Sequence, residues 1–539
     1  MIFPRSVCIL LVVCIAQVQA EVIQVKNAEE FQALPVLKAG DEVILKDGNY
    51  GSIEKILQCN IADDALAQQR PAVVRAETPG GVKVVKPCRL TLQGKGLVLA
   101  GFDFAEGSGM LDNGKNDPAW MIKLAADSRH MKLNNLRFSH CVAGDDYGHW
   151  VFVEGFQHTI EFCTFEGKDE PIRNATVAFK RNTSEASVSV PRLHRLHHCY
   201  FGPRHCAAGS GKTANGYEAI RIGDSGSQAH DMQVTVDQNV FYRAVWRNDD
   251  RKPNDTEIIS NKSRGNRYLH NTFLESFGQL TLRHGDACLV EGNFIFGAGY
   301  YAGNTIQLRP ANSQQGGIRV IGQDHTVRNN YLTNLAGSEL RAALCVMSGS
   351  PNFRDGDGDG GNNGYESAHG AQILHNTFLN CREINLGHID SGNQLPQKVV
   401  FANNVVQLAE KAKGLVVQEK LQLAASGGNY VYQPQGRFGW QGLNNSTYSS
   451  TDSPQLTVSH AQFMIPTVAS PLLNHAWEVH SAAEDIRGLS RPLQQRDIGC
   501  FELETNGAGH RPLLRHEVGP LFDGGPADTY PKRVEKVEP

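Results

Sequence analysis

The chain has 539 residues, enough for one large domain or two or three ordinary ones, with a net charge of −4 and 40% hydrophobic residues. Basic and acidic residues are interspersed, which excludes a basic block for nucleic acid and an acidic solvating tail. Glycine is abundant, at 54 residues, and lysine-rich helical runs are scarce, so the composition favours strands and turns.

The first twenty residues read MIFPRSVCILLVVCIAQVQA. Arg5 gives a positive start, Val7 to Ala16 an apolar stretch, and Val18-Gln19-Ala20 a small-residue cleavage site, the pattern of a secretory signal peptide. Export to the periplasm or beyond the cell is expected. No later segment has the roughly 20 apolar residues of a membrane helix, so no integral membrane segment is expected. Ten of the twelve cysteines follow the signal, without a Cys-x-x-Cys pair. An exported chain can form disulfides, but buried apolar fillers are the preferred reading of these cysteines.

Past the signal, "NAEEFQAL" predicts a short capping helix, with Asn27 as N-cap and Glu30 three residues on. "AGDEVILKDGNY" then reads as turn, strand, turn. From there short apolar runs end repeatedly in one small polar residue and an aromatic or aliphatic one. Cysteine takes the polar slot at Cys163 and Cys199, and asparagine at Asn239, Asn271, Asn293, Asn330, Asn376, Asn404 and Asn429. The closest repeats lie 22 to 28 residues apart, and longer gaps read as loop insertions. Such self-similarity marks a solenoid, and the period-two alternation within each run marks strands. The fold predicted is all-β: a single-stranded right-handed parallel β-helix with an N-terminal cap helix. It spans residues 21–502, with coils from about residue 40 to about 500. "DIRGLSRPLQQRDIGCFE", Asp485 to Glu502, reads as a final turn and strand, and 503–539 as a loosely held polar tail. Two all-β sandwiches are the alternative, and the even spacing argues against them.

Within the repeats, "NDTEIISNKS" (Asn254 to Ser263) carries the chemistry. Asp255 and Glu257 are two apart on a strand and share a face. Their repulsion is relieved by a hard cation, and oxygen donors suit calcium; a solvated acidic edge is the plain alternative. Lys262 falls on the opposite parity from Glu257, so Ser260-Asn261 must bend the chain if both line one groove. In "GQLTLRHGD" Arg283 lies 21 residues after Lys262, about one coil on. Adjacent cations depress each other's proton affinity, which moves Lys262 towards the neutral amine of a general base. "NGYEAIRIG" (Asn215 to Gly223) lies one coil earlier. Asn215 offers a neutral oxygen, and Arg221 either faces the groove or pairs with Glu218. Arg319 in "GGIRVIG" and Arg341 in "LRAALCVM" are candidates to grip substrate carboxylates, with a surface salt bridge as the alternative for Arg341. His284 is a candidate to contact sugar or orient Arg283, and Tyr300 and Tyr301 to stack on sugar rings. "DGDGDGGNNGYE" (Asp355 to Glu366) has the acidic spacing of an EF-hand loop. It lacks flanking amphipathic helices and reads as a long loop. Asn261-Lys262-Ser263 is formally a glycosylation sequon that would block the base.

In this order, "NGYEAIRIG", "EIISNKS", "LTLRHGD" and "GGIRVIG" closely resemble polysaccharide lyase family 6, the family of alginate lyases and chondroitinase B. The resemblance extends over most of the chain beyond the signal. It implies a right-handed parallel β-helix, calcium in the groove, and β-elimination of an anionic, uronate-containing polysaccharide. It implies Lys262 as general base and Arg283 as acid or as stabiliser of the leaving group, with Asn215 and Glu257 as calcium ligands. Asp255 stands where the family usually has glutamate. In that chemistry the ion, acting as a Lewis acid, neutralises the charge that builds on the uronate carboxylate as C5 loses its proton. Alginate is the expected substrate, with dermatan sulfate the alternative. A mannuronan C5-epimerase and a non-catalytic β-helix polysaccharide binder are the readings from other classes.

Overall fold

The computed structural model describes residues 20–112, 114, 118–180, 190–207, 216–247, 257–297, 315–350, 364–390, 392–410, 412–434, 443–459, 463–526 and 529. The signal segment 1–19 and the EF-hand-like positions Asp355, Asp357 and Asp359 therefore lie outside the described residues.

The predicted alternation of short strands and polar corners folds into coils that stack into three sheets, each of fourteen strands among the described residues. The first runs from Val22–Val25 to Ala425–Gly427, and the third from Gly48–Tyr50 to Thr447–Ser449. The second, which carries the candidate site, includes Ile220–Gly223, Glu257–Lys262, Gln279–His284, Ile318–Val320 and Leu344–Met347 as successive neighbours. Pairing within all three is parallel, as in Val22–Val25 on Glu42–Leu45 and Ile220–Gly223 on Glu257–Lys262. This is a parallel β-helix. It starts earlier than the repeats suggest, since Val22–Val25 already pairs ahead of the capping helix Ala28–Gln32. Asn27 caps that helix, accepting the Glu30 N–H at 2.9 Å, while the Glu30 carboxylate accepts from Lys26 N at 2.8 Å.

Inside, asparagine forms a continuous ladder. Asn239 Nδ2 donates to Asn271 Oδ1 at 2.9 Å, and the pattern continues through Asn293, Asn330, Asn376, Asn404 and Asn429 at 2.9–3.0 Å. Each Oδ1 also accepts the backbone N–H of the asparagine one coil back, as Asn293 Oδ1 does from Asn271 N at 3.0 Å. The cysteine coils use the same slot: Cys199 N donates to Asn239 Oδ1 at 2.9 Å, and its thiol faces the carbonyls of Ile160 and His197. All ten described cysteines are free and buried, matching the filler reading. Beside the ladder, Phe104, Phe138, Phe165, Phe201, Phe241 and Phe273 stack coil on coil with centroids 4.6–5.1 Å apart.

The residue at the corner before each inward position turns in the left-handed region, and where it is not glycine its side chain points away from the ladder. Asn135, His198, His270, Asn329, His375 and Asn403 all have φ between 52° and 59°. The C-terminal segment reads this ridge from one end to the other. Asn403 Nδ2 donates to Trp477 O, Asn329 Nδ2 to Glu484 O, His270 stacks on His510, Gly519 N donates to His198 O, and Leu521 N to Asn135 Oδ1. The described residues from 503 to 526 are thus a strap rather than a loosely held tail. Asp485 to Glu502 forms no coil strand either. Its shape comes from the buried Arg491–Glu502 pair at 2.9 Å. Ile486, Ile498, Cys500 and Phe501 cover an apolar outer face of the third sheet that includes Val240, Phe294 and Tyr331.

Truncating a ladder amide leaves buried donors and acceptors without partners, at about 1–3 kcal/mol each. Asn293→Ala is therefore expected to lower the thermal unfolding midpoint. Asn293→Cys should lower it less, because two natural coils already place a thiol there; calorimetry of the two variants checks the order.

Candidate active site

The site is built on the outer face of the second sheet, where backbone parity decides which side chains emerge. Glu257 lies opposite Gln279 and Ile259 opposite Leu280, so Ile258 is an extra residue. Both isoleucines turn into the core. This bulge restores Glu257, Ser260 and Lys262 to one face. The bend required by the sequence thus occurs at Ile258-Ile259 and not at Ser260-Asn261. A second shift follows, with Asn261 opposite Leu282 and Lys262 opposite His284, which leaves Arg283 as the extra residue of its strand. Lys262 and Arg283 therefore sit on adjacent strands, as the spacing predicts.

Asn261 points inward beneath Lys262. Its Oδ1 accepts from Tyr268 Oη and Asn266 Nδ2, each at 2.7 Å, and its Nδ2 donates to His284 O at 2.7 Å. Fully buried and bonded in this way, the sequon asparagine is closed to glycosylation in the folded protein.

Arg319 is 1% exposed and donates from Nη2 to Glu257 Oε1 at 2.7 Å; Arg283 Nη1 approaches the same oxygen at 3.4 Å. Proposed from sequence as a substrate grip, Arg319 here forms part of the buried floor. Burial alone would raise the Glu257 carboxyl, but Arg283, Arg319 and Lys262 outweigh it and hold Glu257 at about 2. Lys262, half-buried, is pushed down to about 8 by burial and by Arg221 and Arg283, against the opposing pull of Glu257 and Glu218. His284 is pushed down to about 3 by burial, Arg283 and Lys262, and stays neutral. Arg221 pairs with Glu218, the structural role that the sequence left open. The same arginine lies across from Ser260, close enough to act on Lys262. Arg341 ends the short turn Glu339–Arg341 before the next strand and is buried.

Asn215, Asp255, Tyr300 and Tyr301 lie outside the described residues. Among the described residues no cluster of three or more His, Cys, Asp or Glu is placed to hold a metal, so a cation site would depend on Asn215 and Asp255 joining Glu257. The chemistry of that set fits a hard divalent ion. All three donors are oxygens, and Glu257 remains ionised across the neutral range.

Sequence reasoning missed Tyr365, whose ring centroid lies 5.8 Å from Arg283 Cζ and 5.9 Å from Arg319 Cζ. A signal was present: Asn-Gly-Tyr-Glu occurs twice, at 215–218 and at 363–366.

The profile described as Chondroitinase B matches residues 25–434, most of the chain and all of the described site. The chain belongs to the chondroitinase B family. Solved structures agree with this family fold. One is the PL6 family alginate lyase AlyGC, at 24% identity and TM-score 0.67 over 83% of this chain. The present chain spans 55% of the AlyGC chain. A mannuronic acid specific family 6 lyase from human gut microbiota has 22% identity and TM-score 0.61, covering 80% of this chain and 92% of its own. A PL6 alginate lyase in complex with a trisaccharide has 19% identity and TM-score 0.60, covering 83% and 91%. No curated protein matches the sequence. Among the described residues no helix is long and apolar enough to cross a membrane.

Lys262 is expected to titrate near pH 8. In Arg221→Met, loss of one cation and release of Glu218 should both raise that value. The pH dependence of acylation at Lys262, read by mass spectrometry, measures the shift.

Proposed function

We propose that this protein is an exported polysaccharide lyase that cleaves alginate by β-elimination. The observation that carries this reading is the placement of the half-buried Lys262 on the same sheet face as Glu257, between the strands that carry Arg221 and Arg283; burial and these two cations push it down to about 8. At that value a useful fraction of the amine is neutral at mildly alkaline pH, as a general base requires. Around it Arg221, Arg283 and Arg319 outnumber Glu218 and Glu257, and the excess positive charge draws a polyanion.

In the reaction Lys262 takes the C5 proton of a uronate, the C5–H electron pair forms the C4–C5 double bond, and the C4–O bond breaks. The guanidinium of Arg283, protonated throughout, stabilises charge on the departing glycosidic oxygen, which then takes up a proton. Arg319 holds Glu257 in place beneath these groups. Bound by Asn215, Asp255 and Glu257, calcium would supply electrostatic neutralisation of the uronate carboxylate. The products are a 4,5-unsaturated uronate and a shortened chain. No water attacks, so the paired carboxylates of a glycosidase are not needed.

Alginate is favoured by the three alginate- or mannuronate-specific structures of like fold. Dermatan sulfate is the second reading, favoured by the name of the matching family. The signal-like residues 1–20 support action in the periplasm or outside the cell.

Poly-mannuronate, poly-guluronate and dermatan sulfate, each followed by ultraviolet absorbance of the unsaturated product, separate these readings. Absorbance is expected to rise on an alginate block and to be lost in Lys262→Ala. A rise on dermatan sulfate alone would select the second substrate. No rise on any of the three, with binding retained, would leave a non-catalytic binder, and sugar inversion without cleavage an epimerase. Activity should climb with pH to a plateau above about 8, because the base works deprotonated. Chelation is expected to depress activity and calcium to restore it, with unchanged activity in chelator overturning the metal assignment.

A further inference from the structure

We propose that Tyr365 is a positioning residue whose ring holds Arg283 and Arg319 in register with Glu257. This rests on the lyase reading and extends it to a residue outside the base, the arginine and the cation site.

Three features converge on Tyr365. Its ring is nearly equidistant from the two guanidiniums, 5.8 Å and 5.9 Å from their Cζ atoms, and both guanidiniums meet at Glu257 Oε1. The face of an aromatic ring attracts a cation at this range. The ring also has a seat: Tyr365 packs against Ile321, Ala342, Cys345 and Met347, an apolar cluster distinct from the main core. Its backbone is pinned as well, since Tyr365 O accepts from Ser350 N at 2.9 Å and Ala368 N donates to Met347 O at 3.1 Å. The ring is therefore held between an apolar seat and two cations.

The need for such a holder follows from the charges. Arg283 reaches Glu257 only at 3.4 Å and is half-buried, whereas Arg319 is fully buried at 2.7 Å. Arg283 is the group that must meet the departing oxygen. A ring spanning both arginines keeps it in register with Arg319, which is fixed on Glu257. Small displacements of such a group are costly, on the order of a hundredfold in rate for about 1 Å.

Phe, Leu and Ala variants at Tyr365 test the proposal, with kcat, KM and thermal midpoint measured for each on the preferred uronate polymer. Tyr365→Ala is expected to lower kcat by about tenfold or more with a smaller change in KM. Tyr365→Phe, which keeps the ring, should recover most of that loss, and Tyr365→Leu, which keeps only apolar bulk, should not. If alanine matches the wild type, if leucine matches it, or if phenylalanine is as impaired as alanine, the proposal is overturned. Should Tyr365→Ala fail to fold, the contrast between leucine and phenylalanine decides. The ring-current shift of the Arg283 Nε resonance gives a readout independent of turnover, expected in the wild type and in Tyr365→Phe and absent in Tyr365→Leu. A wild type with that shift but no unsaturated product defeats the lyase reading and leaves the contact standing. An active wild type without the shift defeats this inference alone.

Discussion

Each coil of this solenoid closes on a buried amide that its neighbours must complete. Asn293 Oδ1 receives two donors from Asn271, and Asn293 Nδ2 passes a bond on to Asn330. No coil can satisfy these groups alone, which is why the coils stack in strict register with strands about 4.8 Å apart. Residues one coil apart thereby become neighbours whatever the length of the loop between them. Asn330 and Asn376 are 46 residues apart and still bond at 2.9 Å. The ladder thus tolerates insertions between coils while keeping the stacked strands in register.

On that floor the decisive departure is a single extra residue. The bulge at Ile258 changes parity once, and so puts Lys262 on the same face as Glu257. The matching irregularity at Arg283 frees that residue from pairing opposite Lys262. Interior anchoring by Asn261, Tyr268 and Asn266 holds the bent strand where simple alternation would fail. Three arginines then act on one carboxylate and one amine. Glu257 is kept ionised by Arg283, Arg319 and Lys262, and Lys262 is eased towards neutrality by burial and by Arg221 and Arg283. Arg283 thus acts on both groups at once.

The outer surface follows a second logic. Left-handed corner residues such as His198, His270 and Asn403 point away from the ladder, and the C-terminal strap bonds to them in reverse chain order. The strap covers apolar side chains on the third sheet, which would otherwise remain exposed. It joins residues more than 380 apart in sequence, as in the bond from Leu521 to Asn135. Nearest-neighbour stacking alone gives a solenoid no such long-range contact.

How much of this was legible depended on whether the signal was local. The repeated asparagine, the alternating strands, the capping helix at Asn27 and the placing of Lys262 and Arg283 on neighbouring strands are properties of spacing, and spacing is written in the sequence. The same holds for the family resemblance, carried by contiguous motifs. The position of the bend at Ile258, the burial of Arg319 against Glu257, the arrival of Tyr365 over two arginines and the strap along the corners were not local. Each depends on which coil a distant segment packs against, and on the charge balance that packing creates. The sequence by itself determined the coil and the chemical groups mounted on it. Only the tertiary structure decided which of those groups touch, because parallel stacking converts sequence separation into neighbourhood through loops whose length carries no record of the contact.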